Sequence, residues 1–281
     1  MSAVDVERYR RDGYLVLKQQ IPVEALKACL DEIYVLFNRM ARRWTLPVPD
    51  AHDLPSLTRV MTAVFARDVA SFMATGKLAQ HTIALHRLGC DEAVLAPVRA
   101  VGVELPTIST RPVIFIIHEA LKVPGGYHKS PPHQDWRNMQ GSLDSAVVWI
   151  PFADVAPGGH ALEVLPGSHL RGLLPSGDDA FGHRVEEASV NDEAFLPLEV
   201  ELGDAVLFSS FLVHRTGQAG GEVARLAASY RYNNVLEPSF VERGYPNPYV
   251  YRPDMTLLTP GFPEIERLQA LFGPNQKVAA E

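Results

Sequence analysis

Gly203-Asp204-Ala205-Val206-Leu207-Phe208-Ser209-Ser210-Phe211-Leu212-Val213-His214-Arg215-Thr216-Gly217 runs an apolar segment into a histidine. Four consecutive apolar residues after a Gly-Asp turn signal read as a strand. Similar short β-rich runs recur from about residue 105, separated by Pro and Gly: Val113–Ile117, Ala146–Ile150 and Ala227–Tyr232. Several such runs predict a sandwich or barrel. The first hundred residues have a different texture. Leu26, Cys29, Leu30, Ile33, Phe37 and Met40 form a stripe with the spacing of one helix face over about residues 22–43. Further helices are expected around 56–74, 77–88 and 91–101. An amphipathic helix needs an apolar surface to cover, so the fold expected is mainly β with flanking helices, an α+β chain. We read a single domain over 1–281, with a helical part at about 1–104, a β core at about 105–235 and an extension at about 236–281. The Gly-Pro-rich stretch 156–182 is expected to be a long surface loop, and the tail beyond Gly273 to fray.

Composition narrows the function. The 281 residues carry 26 Lys plus Arg against 33 Asp plus Glu, a formal net charge of −7. No basic stripe is present to neutralise phosphates, which argues against nucleic acid as a partner. No apolar run reaches the ~18 residues of a membrane span, and the N-terminus lacks the features of a signal peptide. A cytoplasmic protein acting on a small molecule is expected. Cys29 and Cys90 are the only cysteines, too few for a disulfide scaffold or a thiolate zinc cluster. Cys29 lies on the apolar stripe and is expected to be buried and inert.

In Ser130-Pro131-Pro132-His133-Gln134-Asp135-Trp136 an imidazole and a carboxylate stand two residues apart. On an extended strand both would point to one face. A lone His-x-Asp is a weak signal, but His214 supplies a third ligand. Two neutral imidazoles and one carboxylate leave three positions of an octahedral ion open, which suits iron(II) binding an organic co-substrate and O2. Zinc favours a tetrahedral site with one open position. Eleven residues past His214, Arg225 begins another β-run. A returning strand would aim its guanidinium into the same cavity, where the planar fork matches the far carboxylate of 2-oxoglutarate.

With these motifs in view, the sequence resembles the phytanoyl-CoA dioxygenase family of iron(II)/2-oxoglutarate oxygenases. Pro132-His133-Gln134-Asp135 is similar to its proximal metal motif. Ala161-Leu162-Glu163-Val164-Leu165-Pro166-Gly167-Ser168-His169 is similar to its hallmark segment, and Tyr9–Leu17 to its usual start. The segment from Gly203 to His214, with the step to Arg225, resembles its distal metal strand and co-substrate arginine. The resemblance implies a double-stranded β-helix, the cupin-like jelly roll. It also implies that Trp149, Gln134 and Thr216 line the co-substrate pocket, with Thr216 beside Arg225. Two features depart from the family pattern. Gln218-Ala219 replaces a common Pro-Asn after the distal histidine, and His160 stands where a small residue is usual. His160 and His169 are expected to play structural roles.

The activity implied is hydroxylation of an unactivated C–H bond with decarboxylation of 2-oxoglutarate to succinate. Desaturation or cyclisation at the same iron remains open, and Asp135 argues against halogenation, which needs its position vacant. Two other readings compete: a β-helix that binds a small molecule without turnover, and a zinc or manganese hydrolase, in which Arg225 has no purpose. Tyr127, His128 and Lys129 before the metal motif, with Trp136 and Arg137 after it, are expected at the substrate rim, where their polarity suits a polar or anionic substrate. An acyl-CoA substrate is implied by the family name alone.

Overall fold

The segment from Gly203 to Gly217 carries the chain from one sheet into another. The computed structural model describes residues 2–123, 128–177 and 183–247, all within one compact unit. Its strands in chain order are β1 (Tyr14–Leu17), β2 (Pro106–Ile108), β3 (Val113–Ile117), β4 (Ala146–Pro151), β5 (Leu162–Val164), β6 (Ser176–Gly177), β7 (Arg184–Val185), β8 (Leu196–Pro197), β9 (Ala205–Ser209), β10 (His214–Thr216) and β11 (Arg225–Asn234). A major sheet has the order β1-β9-β4-β11-β2, with β3 also on β11. A minor sheet has the order β10-β5-β8, and β6 pairs with β7 alone. Every pairing is antiparallel. After β9 the Leu212 amide donates to the Ser209 carbonyl (2.8 Å), turning the chain so that His214 falls opposite Val164 of β5.

Period-two alternation sorts the major sheet into two faces. Val148, Ile150, Leu207, Leu226, Ala228, Tyr230 and Tyr232 pack in one core with the helices. Val147, Trp149, Val206, Phe208 and Ala227 pack in a second core with Leu162 and Val164 of the minor sheet. A one-residue slip in β11 would exchange its two arginines with Leu226 and Tyr232, so burial on both faces holds the register.

The helices are α1 (Ala3–Asp12), α2 (Val23–Arg43), α3 (Leu54–Arg67), α4 (Val69–Ala79), α5 (Ile83–Gly89), α6 (Glu92–Ala100), α7 (Trp136–Met139) and α8 (Pro238–Glu242). In α2 the expected stripe is the buried one: Leu26, Cys29, Ile33 and Phe37 are essentially inaccessible, while Leu30 and Met40 are partly so. Burying side chains of this size contributes roughly 1.5–3 kcal/mol each. Burial pushes the Cys29 thiol up to about 12, which keeps it protonated. The hydroxyls of Tyr230 and Tyr232 donate to the carbonyls of Leu85 (3.0 Å) and Gly89 (2.6 Å), tying α5 to β11. No helix among the described residues is long and apolar enough to cross a membrane.

Several expectations need correction. The helix expected over 56–74 is two helices, because Asp68 is extended (φ −162°) and its side chain accepts from the amides of Ala70 and Ser71 to start α4. The first hundred residues also contain β1, held to β9 by Asp204. That buried carboxylate accepts from the Gln19 and Glu201 amides (both 2.9 Å) and from Lys18 (2.8 Å). Residues 156–182 are not all surface loop, since β5 within them is a central strand of the minor sheet. The helices hold more described residues than the strands, so the β weight belongs to the part after residue 105. Phe240 of α8 is buried, and Arg243 donates to the carbonyls of Gln140 and Gly141, so this part of the extension packs back on the chain. The Tyr/Pro-rich residues beyond Asn247 lie outside the described residues.

Candidate metal centre

His133 and His214 face each other across an isolated antiparallel bridge, exchanging backbone hydrogen bonds of 3.0 and 3.1 Å. Thr216 continues the pairing, its amide donating to Ser130 (3.0 Å). Asp135 reaches the same place by a route other than the extended strand expected. Its backbone is right-handed helical (φ −64°, ψ −28°) at the start of α7. The Trp136 amide donates to the Ser210 carbonyl (2.9 Å), docking that turn beside the crossing from β9 to β10.

Each histidine is oriented by its own backbone. Nδ1 of His133 donates to the Pro131 carbonyl (2.8 Å), and Nδ1 of His214 to the Leu212 carbonyl (3.0 Å). A carbonyl can only accept, so in the neutral ring the lone pair is on Nε2. His133 Nε2 lies 3.7 Å from Asp135 Oδ1 and His214 Nε2 lies 4.0 Å from Oδ2. Ligand atoms from the three residues fall within 4.8 Å of one another, and all three residues are buried. Asp135 Oδ2 is buried without a hydrogen-bond partner, an arrangement that a bound cation would complete. Two imidazole nitrogens and a carboxylate oxygen form a donor set that fits iron(II).

The electrostatics agree with this arrangement. Burial pushes both imidazoles below the usual histidine range, His133 furthest, with His214 adding to its shift. Burial pushes the Asp135 carboxyl up, but Arg231, His214 and His133 outweigh it and hold it below the carboxylate range. Neutral imidazoles beside an ionised carboxylate are what a divalent cation requires.

A cavity adjoins the triad and is lined in part by Phe115, Trp149, Leu162, Phe208, Thr216 and Arg225. Arg225 is 7% exposed, and burial brings its guanidinium down to about 10, so it remains a cation at neutral pH. One nitrogen lies 3.5 Å from Thr216 Oγ1, the plane sits 5.5 Å from the Trp149 ring, and Nε has no hydrogen-bond partner. Among the described residues no carboxylate pairs with it.

Trp149, Thr216 and Arg225 therefore meet at one cavity, whereas Gln134 does not. Its amide donates to the Gly172 (2.8 Å) and Phe211 (2.6 Å) carbonyls and accepts from the Leu174 amide (2.8 Å), on the side of the segment away from the cavity. All its hydrogen-bonding capacity toward that side serves loop packing. Trp136 and Arg137, expected at the rim, do not line this cavity. Trp136 stacks on Phe211 (centroids 5.1 Å apart) and donates to Ser142, while Arg137 donates to the Leu174 carbonyl. His128 and Lys129 line a second, open groove bordered by Pro132 and by Arg215, which also lines the triad cavity. There Lys129 pairs with Glu119 (2.8 Å) and donates to the Gln218 carbonyl (2.5 Å). Tyr127 lies outside the described residues. His160 packs against the Gly217 and Ala219 carbonyls, and His169 accepts its place against Gly13 and bonds the Arg10 carbonyl, both apart from the triad.

Arg231 is the site residue that the motifs did not single out. It donates to Asp135 Oδ1 at 2.9 Å, with both residues buried. The usable signal was parity, since six residues separate it from Arg225 on one strand and side chains an even number apart share a face. His183 also stands beside the triad, its ring 5.4 Å from that of His133 and its Nε2 accepting from Asn138 (2.9 Å).

The phytanoyl-CoA dioxygenase family model matches residues 9–227. A curated relative, phytanoyl-CoA dioxygenase 1 of Oryza sativa subsp. japonica, is 29% identical over 125 residues, 42% of this chain and 44% of that protein. The matched region thus spans less than half of the relative's length. Among solved structures, the epimerase SnoN in complex with Fe3+, alpha ketoglutarate and nogalamycin RO aligns with a TM-score of 0.57 at 15% identity, over 90% of this chain and 92% of SnoN. The non-heme monooxygenase ThoJ aligns at 0.57 and 17% identity, over 82% of this chain and 76% of its own. EctD from S. alaskensis, solved with 2-oxoglutarate and 5-hydroxyectoine, aligns at 0.53 and 17% identity, over 84% and 77%. At such identities these structures share the fold with this chain. The family match over 9–227, across the stretch that carries the triad and the buried arginine, places the chain in the phytanoyl-CoA dioxygenase family.

Proposed function

We propose that the chain is an Fe(II)- and 2-oxoglutarate-dependent oxygenase that hydroxylates an unactivated C–H bond of a small molecule, releasing succinate from the co-substrate. The observation that carries this reading is Arg225, a buried cation with no carboxylate partner among the described residues, lining the same cavity as the triad. A buried charge left uncompensated is costly, which favours a site built for an anionic ligand. A catalytically silent binding barrel would give no purpose to Asp135 Oδ2, and a hydrolase none to Arg225.

His133, His214 and Asp135 would hold the metal, the histidines with their Nε2 lone pairs free and Asp135 with Oδ2 unpartnered. Arg225 and Thr216 receive the far carboxylate of 2-oxoglutarate, with the Trp149 face against the guanidinium. Phe115, Leu162 and Phe208 exclude water from the cavity, which strengthens those charged contacts. The iron, when bound, supplies the activation of O2 with 2-oxoglutarate that oxidises the substrate C–H bond. The relatives' printed names, a monooxygenase, an epimerase and a dioxygenase, support this reaction class and leave the outcome at carbon to the substrate's placement. The metal-bearing β part is the double-stranded β-helix of a single domain, cytoplasmic in location.

The test is succinate release from 2-oxoglutarate with iron(II) and O2, together with anaerobic spectra. Slow uncoupled turnover and a visible iron–oxoglutarate band are expected. Neither turnover nor band in metal-loaded protein would overturn the proposal.

A further inference from the structure

The two oxygens of the Asp135 carboxylate have different surroundings. Oδ1 accepts from Arg231 at 2.9 Å, while Oδ2, equally buried, has no hydrogen-bond partner. Arg231 is 8% exposed and sits on β11 between β4 and β2, with its backbone paired opposite Val147 and its carbonyl accepting from Ser109 at 2.9 Å. The side chain that fixes Asp135 is thus itself anchored in the middle of a sheet.

We infer that Arg231 is a positioning residue that holds Asp135 to one-oxygen ligation of the metal, through Oδ2. This rests on reading the triad as an iron site. A carboxylate can grip a cation with one oxygen or two. Of six octahedral positions, two histidines and one carboxylate oxygen take three. A chelating 2-oxo acid would take two more, and one position would stay open. Were Oδ1 to bind as well, that last position would be gone. The guanidinium prevents this, because Oδ1 cannot approach the metal without bringing a second cation toward it or giving up a charge-assisted hydrogen bond. Arg231 also draws charge from the carboxylate, so its loss alters the electron density that reaches the metal.

The experiment compares wild type with Arg231→Gln and Arg231→Lys, each titrated anaerobically with Co(II) and Fe(II), then with 2-oxoglutarate. For Arg231→Gln we expect the metal dissociation constant to shift by roughly tenfold or more and the visible iron–oxoglutarate band to move. Arg231→Lys, which keeps a cation there, should recover part of both. The affinity for 2-oxoglutarate at saturating metal should stay within about threefold, since Arg225 is untouched. A folded Arg231→Gln protein with metal affinity within threefold of wild type and an unshifted band would overturn the inference. Should that variant not fold, Arg231→Lys is judged by the same two readouts. A wild-type protein that binds neither metal would instead remove the iron reading, and this inference with it.

Discussion

Replacing Arg225 by Met tests the proposed co-substrate site with two effects of opposite sign. Arg225 lies in a cavity wall, 7% exposed, with Nε unpartnered and the Thr216 hydroxyl 3.5 Å from one terminal nitrogen. Without ligand the guanidinium is a desolvated cation, and replacing such a charge by an apolar side chain of similar volume is neutral or stabilising by about 1–4 kcal/mol. With 2-oxoglutarate bound, the same group would make a forked pair of charge-assisted hydrogen bonds, about 1.5–3 kcal/mol each. The variant should therefore lose roughly 3–6 kcal/mol of co-substrate affinity, about 10²–10⁴-fold in Kd. Calorimetric titration of metal-loaded protein reads this directly. Thermal denaturation gives the second arm. At 100 times its Kd the co-substrate stabilises wild type by about 2.7 kcal/mol, or roughly 5–10 °C in a domain of this size. Arg225→Met should show no such rise, yet its ligand-free Tm should equal or exceed that of wild type. Metal affinity should not change. The reasoning fails if the variant binds 2-oxoglutarate within threefold of wild type, or if its ligand-free form is destabilised by several degrees.

Gln134→Leu should cost about 2–5 kcal/mol in chemical denaturation, because it strands the Gly172 and Phe211 carbonyls and the Leu174 amide. The folded variant should keep wild-type affinity for 2-oxoglutarate, and a selective loss of that affinity would restore Gln134 to the pocket. Asp204→Ala should destabilise by about 2–4 kcal/mol and free β1 from β9, read as accelerated amide exchange in Tyr14–Leu17. Burial pushes the Asp204 carboxyl up, but the Glu201 and Gln19 amides and Lys18 hold it below its ordinary value. Its stabilisation is therefore present above the unfolded value near 3.9 and is lost as pH falls through the folded value. His133 and His214 are held neutral by burial. Metal-free protein should thus lose stability as pH drops below about 6.5, where unfolded imidazoles take up protons that the folded ones refuse, by up to about 1.4 kcal/mol per histidine per pH unit. Urea unfolding at pH 7.5 and 5.5 measures this, and equal stability at the two pH values would contradict it.

What the chain's own order of residues determined was chemistry and local period. The helical stripe from Leu26 to Phe37, the apolar runs that became β4, β9 and β11, and the set His133, Asp135, His214 and Arg225 were all legible, because spacing along the backbone decides which side chains share a face. The breaks in that legibility are equally specific. Asp135 shares a site with His133 by turning into α7, where a strand would have served as well. Gln134, adjacent to both, was drawn away by the carbonyls of Gly172 and Phe211, 38 and 77 residues distant. Arg231 meets Asp135 across 96 residues only because β11 lies beside β4 and α7 docks near the crossing from β9 to β10. A one-dimensional pattern specifies the face on which a side chain emerges. Which carbonyl, carboxylate or cation awaits it there depends on contacts between distant segments, and those are set when the two sheets and the helical layer bury their apolar faces together.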